Sequence, residues 1–416
     1  MISDIRAIAF YLPQYHPVKE NDEWWGKGFT EWTNTAKARP LFPGHYQPHI
    51  PADLGFYDLR LSEARQAQAD LAREYGIHGF CYYHYWFNGR RILERPFNEV
   101  LQSGRPDFPF CLCWANENWT RVWDGGERDV LLGQNYNHED DFLHIQSLIP
   151  AFRDPRYIRI NGRPLFLVYR TELLPDPART AEIWREVAIK AGVGDPYLVR
   201  VESFSQNISP ASIGFDAAVE FAPDGNDMGE WIFHHGAAGM LSRMGVIPHA
   251  YAEQRIVSYP ALARGMASRP VAEFTRFRCV TPMWDNSARR KKNARIVIDS
   301  TPELYESWLR VLCNQTSKRF KGDERVVFIN AWNEWAEGNH LEPDLKWGHE
   351  YLKATRRALT EAGQTVHFSP VESNASTTPD FSEWLKSGYW KWRARLGRRW
   401  VRKKELLRLL LWRWRR

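Results

Sequence analysis

Residues 5–17 read IRAIAFYLPQYHP. The run opens as an apolar, β-rich strand and closes in a polar, aromatic loop. A doubly wound nucleotide-binding sheet would need a glycine-rich phosphate loop at this point. LPQYHP contains no glycine, so the first strand points to a closed barrel instead. A barrel then requires seven more such runs. They lie at about 77–83 (IHGFCYY), 109–114 (PFCLCW), 165–169 (LFLVY), 197–201 (YLVRV), 217–221 (AAVEF), 278–283 (RCVTPM) and 326–332 (VVFINAW). Most are continuously apolar, which suits parallel strands covered on both faces. Helical patterns fall between them at 61–75, 179–191 and 302–313. The expected fold is an α/β (β/α)8 TIM barrel over residues 1–364. A Pro/Ser/Thr-rich linker over 365–380 and a basic, Trp-rich helical tail over 381–416 follow it.

The chain has 416 residues, 44% hydrophobic and 25% charged, an ordinary globular balance with ample length for a large core. Its 20 tryptophans stand out. Flat rings are costly to expose, and stacking against sugars or bases is a use beyond packing. Five cysteines sit in apolar, strand-like contexts with no zinc spacing and an odd count, which reads as buried free thiols. No His/Asp/Glu grouping has metal-ligand spacing, and no motif calls for a cofactor. The net charge is +6, but residues 381–416 carry 13 Lys/Arg against 2 Glu, or +11, leaving −5 for the rest. A nucleic-acid-binding main domain is therefore not implied. The N-terminal stretch lacks a charged leader followed by an apolar segment and cleavage site, and no run of 18 apolar residues exists, so the expected address is cytoplasmic.

In such barrels chemistry gathers at the C-terminal strand ends. Here those ends carry Tyr11 and His16, then Tyr83, His84 and Trp86, then Trp114, Asn116, Glu117 and Trp119. Further along come Tyr169, Glu220, Trp284 and Asn333. Aromatic faces stack on sugar rings and amides and carboxylates read hydroxyls, so these thirteen residues are the candidate carbohydrate contacts. His16 and His84 would bind sugar hydroxyls. Asp140-Asp141 in NHEDD sits in a helical context and carries a weak signal for a metal-dependent transferase.

The last strand end reads INAWNEWAEGNHLEP over residues 329–343. Glu334 and Glu337 are three apart, so a helical turn or tight loop would put both on one side. Two close carboxyls push their pKa values apart, keeping one protonated near neutrality, and glycosidic cleavage uses such a pair. Ordinary glycosidases draw the two from separate strands; a solvated acidic loop is the plain alternative.

Four stretches together resemble a family. AIAFYLPQYHPVKENDEWWGKGFTEWTNT, GFCYYHYWFNGRRILERP, CLCWANENWTRVWDG and FINAWNEWAEGNHLEP look like the WbsX-type proteins of bacterial surface-polysaccharide gene clusters, over about residues 1–355. Those proteins are in turn similar to family 99 glycoside hydrolases, the endo-acting α-mannosidases and α-mannanases. The resemblance implies a (β/α)8 barrel that retains configuration without an enzyme nucleophile. Glu334 would deprotonate a sugar 2-hydroxyl, which attacks the anomeric carbon, and Glu337 would act as general acid and base. It implies an oligo- or polysaccharide substrate, lipid-linked or free, and glycosidase or transglycosidase activity. Two readings stay open beside it: a glycosyltransferase of polysaccharide biosynthesis, and a non-catalytic glycan-binding protein. In the tail, Trp400, Leu407, Leu411 and Trp414 share a helical face among Arg and Lys. That pattern suits peripheral contact of 389–416 with the inner face of the plasma membrane, against a helix packed on the barrel or a tail that binds a partner.

Overall fold

The apolar runs become eight parallel strands in the computed structural model, which describes residues 5–121, 126–203, 208–225, 232 and 235–360. They are β1 (Arg6–Tyr11), β2 (Ile77–Phe87), β3 (Phe110–Trp114), β4 (Arg163–Val168), β5 (Tyr197–Glu202), β6 (Ala217–Glu220), β7 (Arg276–Val280) and β8 (Val326–Ile329). Each pairs with the next in chain order, and β8 returns to β1 with Ala7 opposite Val327 and Ile8 opposite Phe328. The sheet is a closed barrel, as the sequence implied. The predicted linker and tail lie outside the described residues.

Among the helices of the described residues are α1 (Ser62–Glu74), α2 (Arg95–Ser103), α3 (His138–Arg153), α4 (Pro177–Lys190), α5 (Tyr259–Ala267), α6 (Pro302–Arg319) and α7 (Glu350–Thr360). Between β5 and β6 the described residues hold only a 3-10 turn, Pro210–Ile213. Start signals explain where several helices begin. Asn137, Asp176 and Thr301 each accept a hydrogen bond from the backbone N–H three residues on, and Pro follows directly at 177 and 302. The Asp140-Asp141 pair is part of the first turn of α3, where carboxylates meet the positive end of the helix. Asp141 also accepts from the Thr180 hydroxyl at 2.9 Å, which ties α3 to α4.

Above the β1–β8 pairing, one amide also ties the first strand's loop to the last. Asn333 Oδ1 accepts from Leu12 N at 2.7 Å, and Nδ2 donates to Leu12 O at 3.0 Å. At the other end Gly79 lets β2 pass close to the chain before β3: a Cβ there would lie 2.5 Å from Pro109 O. All five cysteines are buried and unpaired. Among the described residues no helix is long and apolar enough to cross a membrane.

The described chain divides into two compact units. The larger carries the barrel. The smaller joins residues 40–46 to residues 235–254, with Phe42 packed on Tyr251 at 5.0 Å between ring centroids.

Candidate active site

Past β8 the chain makes a tight hairpin. Asn333–Glu334 pairs antiparallel with Asn339–His340, and a 3-10 turn, Trp335–Glu337, joins them. The turn ends at Gly338 with φ +54°, where a Cβ would also lie 3.0–3.2 Å from Asp285. Glycine thus serves twice, once for its left-handed backbone and once for close approach to the loop after β7. That loop is shaped by Asp285, whose carboxylate accepts from Ser287 N and from Gln47 Nε2, both at 2.8 Å. It delivers Arg289.

Arg289 joins three carboxylates. Its Nη2 lies 2.9 Å from Glu334 Oε2, its Nη1 2.7 Å from Glu337 Oε1, and its Nε 3.1 Å from Glu31 Oε2. Glu31 opens a short helix, Glu31–Lys37, and is fully buried. Three potential negative charges therefore face one positive charge. Burial pushes Glu334 up to about 8, with Glu337 and Glu31 adding repulsion and Arg289 opposing. Burial raises Glu31 as well, again against Arg289. Burial opposes the charge on Arg289, but the three glutamates outweigh it and raise its pKa. Burial and crowding of carboxylates therefore favour a proton on Glu334.

The cluster borders a cavity of about 600 Å³. Glu334 and Glu337 lie on its wall with Arg289, and Trp24, Trp25, Trp119, Trp284, Tyr83, Tyr85 and Tyr169 supply aromatic surface. The edges of Trp24 and Tyr85 meet Trp119 at 5.5 and 5.2 Å between centroids, so these rings form one continuous wall. Arg290 and Arg295 add positive charge to it. Behind the turn, Glu342 accepts from Gln68 Nε2 at 2.6 Å, Tyr57 OH at 2.8 Å and Trp335 Nε1 at 2.6 Å. Its carboxylate anchors the loop rather than facing the cavity.

The family model described as Glycosyltransferase WbsX matches residues 7–355. The chain belongs to the WbsX family. Two curated relatives, each the uncharacterized protein WxcX from Xanthomonas campestris pv. campestris (strains B100 and ATCC 33913), are 44% identical over 364 residues. The match takes in 85% of this chain, which spans about half the length of those relatives. Among solved structures, a glycoside hydrolase-like protein superimposes with a TM-score of 0.52 at 14% identity, covering 86% of this chain and 94% of that one. The GH99 endo-alpha-mannosidase from Bacteroides thetaiotaomicron gives 0.51 at 14% identity, covering 86% and 97%. The fold of this WbsX chain is thus that of family 99 hydrolases, as its motifs implied.

Of the residues singled out from the WbsX motifs and strand ends, Glu334, Glu337, Tyr83, Glu117, Trp119, Tyr169 and Trp284 line the cavity together. Eight others lie elsewhere. Tyr11 donates to Gln68 on α1 at 2.7 Å, and His16 lines a separate surface recess with Arg91 and Glu94. His84 and Trp86 turn toward α3, bonding His144 at 3.0 Å and Asp140 at 2.9 Å. Trp114 also packs on His144, at 4.5 Å between centroids. Asn116 bonds the Arg170 backbone, Glu220 pairs with Arg278 at 2.9 Å, and Asn333 holds Leu12. Sequence reasoning missed Glu31, Arg289, Trp24, Trp25 and Tyr85. Glu31 and the Trp pair stood inside the first quoted motif, and Arg289 in the charged run SARRKK after strand seven.

Proposed function

We propose that this chain is a carbohydrate-active enzyme of bacterial surface-polysaccharide metabolism that cleaves or transfers a glycosidic bond. One observation carries the reading: Glu334 and Glu337 share a single guanidinium on the wall of an aromatic-lined cavity. Such a pair supplies one proton donor and one acceptor, the complement glycosidic chemistry needs. Both come from one turn, so both act around one sugar, which suits attack by that sugar's own 2-hydroxyl. Burial favours the proton on Glu334. The roles implied by the family 99 resemblance require it on Glu337 at bond cleavage, with Glu334 as base. The substrate is an oligo- or polysaccharide, free or lipid-linked, and the basic segment 389–416 is suited to hold the enzyme at an anionic membrane surface.

The test is glycan release and transfer by purified protein on host polysaccharide and its lipid-linked precursors, with wild type beside Glu337→Gln. Product from wild type alone supports the proposal, and the acceptor identifies hydrolysis or transfer. A second reading, glycosyl transfer from an activated donor, is favoured by Arg290 and Arg295 on the cavity wall, which suit a donor's phosphates. Calorimetry with common sugar nucleotides decides it: binding supports the donor reading, and silence across the panel removes it.

A further inference from the structure

Behind the glutamate turn, three side chains from distant parts of the chain converge. His49 Nδ1 lies 2.8 Å from His340 Nε2, and His340 Nε2 lies 3.8 Å from Asp344 Oδ2. The three ligand atoms all fall within 4.8 Å of one another, and the residues are 4%, 1% and 2% exposed. His49 and His340 are 291 positions apart, so no local spacing announces the group.

The hydrogen bonding around the trio orients it inward. His340 Nδ1 sits 2.8 Å from Glu342 O, a carbonyl that can only accept. Nδ1 therefore carries the proton and the Nε2 lone pair faces the trio, as an outer-shell carbonyl fixes a metal-binding imidazole. Asp344 Oδ1 accepts from the N–H groups of Lys346 and Trp347 at 3.0 and 2.6 Å. Asp344 Oδ2 is buried with no hydrogen-bond partner. A single proton between the two imidazoles joins them to each other and leaves that oxygen unmatched, at 3.8 Å. An unmatched carboxylate oxygen in the interior is costly. A cation at the centre of the trio would satisfy all three atoms.

We propose that His49, His340 and Asp344 bind one divalent transition-metal ion, with zinc the best match. Two imidazole nitrogens and one carboxylate oxygen suit zinc, cobalt or nickel over the all-oxygen preferences of magnesium and calcium. Metal–nitrogen bonds of about 2.0–2.1 Å at a tetrahedral centre set nitrogens about 3.3 Å apart, so the imidazoles open by about 0.5 Å on binding. A water completes the fourth position. The backbone already brings the two segments together: Ala52 N donates to Pro343 O and Leu345 N to Ile50 O, both at 2.9 Å. The metal would lock that junction. His340 in turn stacks on Trp335 at 3.7 Å, and Trp335 lies between Glu334 and Glu337, so the ion steadies the glutamate turn from behind.

The experiment uses untagged full-length protein stripped with EDTA, then titrated with Co(II) or Zn(II). Wild type is expected to develop cobalt d–d absorption that saturates at one equivalent, and to melt higher with zinc than in EDTA. His49→Gln and Asp344→Asn are expected to weaken cobalt binding more than about 100-fold, beyond what outer-shell changes cost. In EDTA their far-UV spectra and melting should match stripped wild type, which separates ligand loss from misfolding. Absence of cobalt bands in wild type, identical melting with and without zinc, or undiminished binding by both variants would each overturn the site. None of these readouts depends on the proposed activity.

Discussion

Two clusters of carboxylates and guanidiniums are buried in this barrel, and they are built on opposite arithmetic. On β5 to β7, Glu202 pairs with Arg200 at 3.3 Å and Arg276 at 2.9 Å, Glu220 with Arg278 at 2.9 Å, and Asp224 with Arg269 at 2.7 Å. Among the described residues four arginines there meet three carboxylates. At the mouth of the barrel Glu31, Glu334 and Glu337 meet, among the described residues, the single cation Arg289. The first cluster holds more cations than carboxylates, although Glu220, Arg276 and Arg278 also border a recess of about 300 Å³. The second is short of cations, and burial with mutual repulsion raises Glu334 and Glu31 toward the protonated form. Excess carboxylate is the mark that sets the glutamate cluster apart, and on the proposed function it marks the cluster that does the chemistry.

The largest expected effect tests that mark directly. Replacing either cavity glutamate by glutamine should lower glycosidic turnover by about 10²–10⁴-fold, while Glu202→Gln should alter stability and leave the chemistry intact. Turnover rates beside thermal melts on all three variants check this. If Glu202→Gln matches the others in lost turnover, the comparison fails.

Next in size are the arginines. Arg278→Met should cost about 3–5 kcal/mol of stability, because it strips the closest partner from a buried carboxylate. Arg289→Met should cost less at pH 6 than at pH 8, because its glutamates can take up protons instead. Denaturant unfolding at the two pH values measures both.

The pH dependence of the wild type follows from the same site. Glu334 has a folded pKa of about 8, above the ordinary unfolded carboxylate value. Between the two values the native state binds a proton that the unfolded state does not. Its contribution to stability therefore falls as pH rises from about 4.5 toward 8, by at most about 1.4 kcal/mol per pH unit. Glu334→Gln should flatten that decline, which unfolding at pH 5, 6.5 and 8 would reveal.

The smallest effect is Gly338→Ala. Left-handed backbone at a non-glycine residue costs about 1–2 kcal/mol, and the added Cβ meets Asp285 at 3.0 Å. Expected is a small drop in melting temperature with a clear loss of turnover, since the two loops that join Arg289 to its glutamates can no longer close fully.

The barrel was legible because parallel strands buried on both faces leave unbroken apolar runs, and all eight runs became strands. The glutamate turn was legible because its two carboxylates are neighbours. Much of the cavity wall was not, for two reasons. Glu31 and Arg289 reach Glu334 from distant loops, and pairing across such distances leaves no periodic trace. The aromatic strand ends failed differently, since side chains on a strand alternate. On β2, Tyr83 and Tyr85 line the cavity while His84 and Trp86 turn to α3. Parity was present in the sequence, and choosing strand-end aromatics by type alone mixed the two faces.

The Asn333 amide that grips both backbone atoms of Leu12 spans 321 positions. During synthesis residue 12 leaves the ribosome long before residue 333 exists. The nascent chain therefore carries its first aromatic loop without the turn that bears Glu334 and Glu337. On the proposed function it cannot act on a glycan until nearly the whole barrel has been translated. The proposed activity is thus withheld from every shortened product that stops before the eighth strand, and the closing step joins the earliest and latest segments of the barrel, the kind of long-range contact that makes folding slow.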